Sequence, residues 1–286
     1  MVNKMGWDKN NKIEQRVEKP VEVKTIEVEN KKQRIYDPEK KKVMTFYGRK
    51  GEGKTTALLS LIDKKDKVLL ISFDGMSGII QRNFFPELNV DIYDAYEKPR
   101  FVIDEKNDGT LLPIESVENA YYNCQELLKK LKDTKVGQYD IIVFDGLNIG
   151  EKLAESFMRF RKGLKFDEAF ADFNNWKIRN AVVNSWFWQA VEKANKGVIY
   201  TLYPVEDVRK KEKGQTIDSE QIPKYAEDVM YLTSVVIKIE RRMIRNQAGN
   251  EEKKHYAIVE SSKIKDIEDG KIYDITNKNL SAYIKM

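Results

Sequence analysis

The chain has 286 residues, 41% of them hydrophobic and 34% charged, with 51 Lys plus Arg against 46 Asp plus Glu. That is enough apolar material for one large domain, and a net charge of +5 permits binding to a polyanion without demanding it. One cysteine, Cys124, excludes an intrachain disulfide, and with a single histidine, His255, zinc chemistry is excluded too.

Residues 1–40 read as a flexible extension with one short strand. The first 19 residues are polar and mixed in charge, which fits neither a signal peptide nor a membrane span, so a cytoplasmic protein is expected. Residues 21–28 alternate apolar and polar, the pattern of a half-exposed strand. A Lys-rich turn then leads into a β-prone run over 43–47.

Directly after that run comes Gly48-Arg49-Lys50-Gly51-Glu52-Gly53-Lys54-Thr55, which fits the phosphate-binding pattern G-x-x-x-x-G-K-[ST] at every fixed position. Residues 56–62 continue it as the start of a helix. The glycines let consecutive backbone N–H groups turn toward phosphate oxygens at the positive end of that helix. Lys54 supplies a mobile charge for the β- and γ-phosphates, Thr55 a hydroxyl for Mg²⁺, and Thr56 lies toward the α-phosphate.

A continuous apolar strand over 67–73 ends at Asp74-Gly75, and a short strand is expected over 90–93. Residues 116–131 carry helical spacing with acidic residues at the start and lysines at the end. The next apolar strand, 139–144, delivers Asp145 at its C-terminal end, where a carboxylate meets the Mg²⁺ shell beside the loop threonine.

Residues 151–196 are mostly helical. Trp176, Trp186 and Trp188 there are read as packing residues in preference to a base-stacking platform, and Cys124 as a small buried side chain. A buried strand over 198–203 ends at Pro204, and a basic loop follows with Arg209, Lys210, Lys211 and Lys213. A helix over 223–232 and strands over 235–240, 256–259 and 271–275 complete the chain, with a hairpin loop at 246–253. The fold class is α/β, a mainly parallel sheet flanked by helices.

The order of the Gly48 loop, Ile71-Ser72-Phe73-Asp74-Gly75, the Asp145 strand and Thr201-Leu202-Tyr203-Pro204 resembles the RecA-like ATPases. Within them it is most similar to the stand-alone RecA-core proteins of phages and archaeal viruses, some of which act in single-strand annealing and recombination. The likeness spans roughly residues 40–265. It implies a RecA-like core over 41–265, a β-element over 266–286 packed on it, and P-loop and Asp145 strands separated by the Val198 strand.

The resemblance also implies roles. Asp74 stands where the family places a carboxylate, usually Glu, that polarises the attacking water; the alternative is that it caps its own turn. Thr201 matches a polar γ-phosphate sensor. Arg209, Lys210, Lys211 and Lys213 fall where relatives contact single-stranded DNA, and with no aromatic among them they suit positioning of phosphates over base reading. Lys263, Arg241, Arg242 and Arg245 are candidates for a cation donated to a neighbouring subunit's site in a homo-oligomer.

The expected function is Mg²⁺-dependent ATP hydrolysis coupled to single-stranded DNA in recombination, repair or viral genome replication. A motor, packaging or kinase-like ATPase and a slow nucleotide-dependent regulatory or scaffold protein are the alternatives.

Overall fold

A computed structural model describes residues 40–95, 101–104, 110–113, 116–165, 174–206, 221–223, 227–245 and 249–286. The strand expected over 21–28 and the residues Arg209, Lys210, Lys211 and Lys213 lie outside the described residues. The strands are β1 (Lys42–Tyr47), β2 (Lys67–Ser72), β3 (Asn89–Asp94), β4 (Phe101–Asp104), β5 (Thr110–Pro113), β6 (Ile141–Asp145), β7 (Gly197–Leu202), β8 (Pro204–Glu206), β9 (Gln221–Pro223), β10 (Val235–Arg245), β11 (Glu251–Ser262) and β12 (Ile272–Asp274). The helices are α1 (Lys54–Leu61), α2 (Ser77–Phe84), α3 (Ser116–Asp133), α4 (Leu147–Arg161), α5 (Asn174–Lys193) and α6 (Glu227–Leu232).

Eight strands make one sheet in the order β12-β11-β10-β1-β7-β6-β2-β3. From β10 to β3 every pairing is parallel, and β11 and β12 add antiparallel strands at one edge. The expected separation of the P-loop and Asp145 strands is present: β7 lies between β1 and β6.

The period-two alternation of the central strands explains why both faces are covered. Leu69, Ile71, Ile142, Phe144, Val198 and Tyr200 point to one face, where they pack with Cys124, Leu127, Phe157 and Trp186 of α3, α4 and α5. Val68, Leu70, Ile141, Val143 and Ile199 point to the other, against Leu58 and Leu59 of α1 and Leu280 and Ile284 of the C-terminal tail. At the helix-α1 face the polar positions Ser72, Asp145 and Thr201 continue the same alternation at the C-terminal ends of β2, β6 and β7. They break that apolar row where it meets the loop after β1, whose Thr55 bonds Asp145.

Trp186 and Cys124 are fully buried, as packing residues should be, but Trp188, read as a packing residue too, is 41% exposed and Trp176 is only half-buried. The C-terminal strands are longer than their apolar runs: β10 and β11 form an eleven-pair hairpin from Val235↔Ser262 to Arg245↔Glu251. Their outer halves are charged and exposed, so hydrophobicity marked only the buried halves. Helix α2 and the small β4–β5 and β8–β9 ribbons, of eight, four and three residues per element, are too short to have been marked. Pro223, expected to open a helix, instead ends β9, and α6 starts at Glu227.

Candidate active site

The glycines of the loop are fixed by its surroundings. A Cβ on Gly48 would collide with the Ile239 carbonyl oxygen of β10 and approach Glu52 Oε2 within 2.7 Å. Gly53 caps α1 at φ 90°, a left-handed conformation that side chains resist. The first turn of α1 holds no acidic residue, so its positive end is left for an anion. Within the loop the Arg49 N–H donates to Glu52 Oε2.

Lys54 Nζ donates to the carbonyl oxygens of Gly48 at 2.8 Å and Arg49 at 3.0 Å, and sits 4.3 Å from the centroid of the Tyr203 ring. Burial pushes its pKa down, opposed by the charges of Asp145, Glu52 and Asp74. A phosphate arriving beside it would favour the charged form and replace the two carbonyl contacts.

Asp145 is the centre of the site. Its Oδ2 accepts from Thr55 Oγ1 at 2.8 Å and from Ser77 Oγ at 2.7 Å, and its Oδ1 accepts from Thr201 Oγ1 at 2.6 Å. The carboxyl is 2% exposed, and burial pushes its pKa up. Hydrogen bonds from Thr201, Ser77 and Thr55 oppose that shift, while the charge of Asp74 adds to it. A buried anion held by hydroxyls alone is a hard-oxygen site, and with the phosphates of a nucleotide it suits Mg²⁺.

Asp74 caps its own turn. Its Oδ1 accepts from the Met76 N–H at 2.9 Å and lies 3.3 Å from Ser72 Oγ, which fixes the turn into α2. It also lines the same cavity of about 220 Å³ as Lys50, Lys54, Thr55, Asp145 and Thr201. Thr201 spends its hydroxyl on Asp145 and on the Gly146 N–H at 2.7 Å, so it orients the carboxylate.

Gly51, Gly53 and Thr56 also line this cavity. Arg241 and Arg242 lie on the part of β10 that runs past the end of β1, beyond the Tyr47↔Lys238 pair, on the P-loop side of the sheet. Arg242 is paired to Glu240 at 2.7 Å and stacked on Tyr256. Lys263 follows Ser262, which pairs with Val235 at the start of β10. That is the opposite end of the sheet, where its Nζ is 3.3 Å from the Tyr231 carbonyl.

Three contributors had no strong signal in the sequence. Ser77 reaches Asp145 from the start of α2, a helix too polar to stand out. Tyr203 reads as the last residue of a strand, yet its ring covers Lys54 while its N–H is held by Asn148 Oδ1. His255 sits in mid-strand on β11 with Nδ1 3.2 Å from the Glu52 carbonyl oxygen; only the hairpin brings it to the loop.

A glycine-rich loop and its lysine at the end of β1, a buried carboxylate at the end of β6, and β7 between them define a RecA-like P-loop ATPase fold. The chain belongs to the AAA domain family AAA_24, whose model matches residues 40–269. No curated protein matches the chain by sequence. Among solved structures it is similar to the RadB recombinase, with 12% identity and a TM-score of 0.45 over 81% of this chain and 85% of that one. It is also similar to a DnaB-like replicative helicase, with 13% identity and a TM-score of 0.37 over 83% of this chain and 55% of that one.

Proposed function

We propose that the chain binds ATP with Mg²⁺ and hydrolyses it, and that hydrolysis is coupled to single-stranded DNA in recombination, repair or genome replication. The observation that carries the nucleotide part is the Thr55 to Asp145 contact of 2.8 Å at the mouth of the P-loop, which brings the two oxygen ligands of a phosphate-bound metal together.

The P-loop N–H groups and Lys54 hold the β- and γ-phosphates. Thr55 and Asp145 hold Mg²⁺, which when bound neutralises charge on the phosphate oxygens. Thr201 and Ser77 keep the Asp145 carboxylate aimed at it. Asp74, one methylene shorter than a glutamate, orients the attacking water from the wall of the same cavity through the oxygen that does not cap its turn.

The DNA part rests on connectivity. Strand β7 delivers Thr201 and Tyr203 to the site and runs directly into β8, after which the chain carries Arg209, Lys210, Lys211 and Lys213 before returning in β9. Phosphate contacts there pull on the strand whose end touches Lys54. ATP turnover measured at low salt with and without single-stranded DNA tests this: stimulation that disappears when those four residues are neutralised is expected. Turnover indifferent to DNA would remove the DNA part and leave the ATPase part standing.

A further inference from the structure

One peptide of the loop, Glu52–Gly53, is free to face either way. It is trans, so its carbonyl and its N–H point in opposite directions. Gly53 lines the phosphate cavity, and among the described residues its N–H meets no acceptor, as a donor kept for phosphate should. Turned over, the same peptide would aim the Glu52 carbonyl oxygen at the phosphates. Gly53 resists that turn little: from φ 90° it leads to a φ of about −90°, and glycine occupies both signs about equally. The bonds within the loop do not prevent it either. The Glu52 N–H donates to the Arg49 carbonyl at 3.3 Å, which fixes the peptide before Glu52 and leaves the one after it unheld.

His255 supplies the hold. Its Nδ1 lies 3.2 Å from the Glu52 carbonyl oxygen, and because a carbonyl only accepts, Nδ1 carries the proton and donates. The ring stands on the outer side of the loop, where it and Gly53 line a second cavity of about 310 Å³. It lies directly against the loop, since a Cβ on Gly53 would be 3.4 Å from Nδ1. The donor itself cannot turn away. His255 pairs with Arg241 across the hairpin, its N–H donates to Thr276 Oγ1 at 2.9 Å, and its carbonyl accepts from the Ile275 N–H at 2.9 Å. Two residues on, β11 enters the core at Ala257, which is fully buried.

We propose that His255 is a positioning residue for the phosphate site: by donating from Nδ1 to the Glu52 carbonyl it keeps the Glu52–Gly53 peptide turned with its N–H toward the phosphates. The proposal rests on the phosphate reading of the loop. His255 touches no phosphate itself and acts only through this peptide.

Two measurements on the full chain test this. The sequence has a single histidine, so the imidazole ¹⁵N resonances of the labelled wild-type protein at pH 8 come from His255 alone and need no variant. A proton on Nδ1 is expected; a proton on Nε2 alone overturns the proposal. Calorimetric titration with ATP and with inorganic triphosphate then compares wild type, His255→Ala and His255→Asn. Loss of the hydrogen bond in His255→Ala is expected to weaken both ligands about five- to tenfold, and His255→Asn, whose amide nitrogen stands where Nδ1 does, to recover most of that loss. Unchanged affinities, a loss confined to ATP, or an equal loss in the two variants each overturn the proposal while wild-type binding leaves the phosphate reading standing. If the wild type binds neither ligand, the phosphate reading fails and the proposal falls with it.

Discussion

Asp145 illustrates how function and stability oppose each other at one side chain. Its carboxyl is buried at the bottom of the phosphate cavity, and burial holds its pKa above the ordinary 3.8. A carboxyl with a raised pKa contributes most to stability below that ordinary value, and the contribution is lost as pH rises through the raised one. At neutral pH the charged form is a cost that a bound metal would relieve. Asp145→Asn, which keeps the shape and removes the charge, is therefore expected to raise the melting temperature of the nucleotide-free protein at pH 7 by a few degrees, about 1 kcal/mol. The gain should shrink as the pH is lowered toward 4, and ATP turnover should fall by about a hundredfold or more. Thermal melts at both pH values check the sign; a variant less stable than wild type at pH 7 would mean the three hydroxyls compensate the buried charge fully.

At the scale of elements, the site depends on β10 pressing against the loop after β1. Gly48 is the contact point, because any side chain there meets the backbone carbonyl of Ile239, and a backbone cannot turn aside as a flexible side chain can. Gly48→Ala is expected to cost about 1–3 kcal/mol in chemical denaturation, unlike substitution at Gly51, where a Cβ meets open space and only its positive φ resists. A midpoint unchanged by Gly48→Ala would show that β10 and the loop are not packed as described. The elements carrying this geometry were legible wherever burial imposes a pattern. The apolar runs of β2 and β6 and the carboxylates at or just past their ends marked Asp145 and Asp74 as candidates, while Thr201 was marked only by the family resemblance. Contributors that arrive from elsewhere in the chain were not legible. Ser77 depends on the short polar helix α2, Tyr203 on a side chain turning back over Lys54, and His255 on a charged hairpin half whose pairing leaves no hydrophobic trace.

For the whole molecule, the β10–β11 hairpin extends beyond the P-loop and carries Arg241 and Arg242 on the site's side of the sheet, while Lys263 sits at the opposite end. We propose that in a head-to-tail assembly Arg241 or Arg242 of one copy completes the phosphate site of the next. Wild-type turnover per chain is then expected to rise with protein concentration, and Arg241→Ala with Arg242→Ala to lower it about a thousandfold without weakening ATP binding. A loss confined to Lys263→Ala would move the donor to the other end of the sheet. All of this stands on the loop at the end of β1 being a working nucleotide site. Steady-state ATP turnover with Mg²⁺, wild type beside Lys54→Ala, tests that most directly. Turnover in the wild type that falls to background in Lys54→Ala is the predicted result; equal turnover in the two would contradict it.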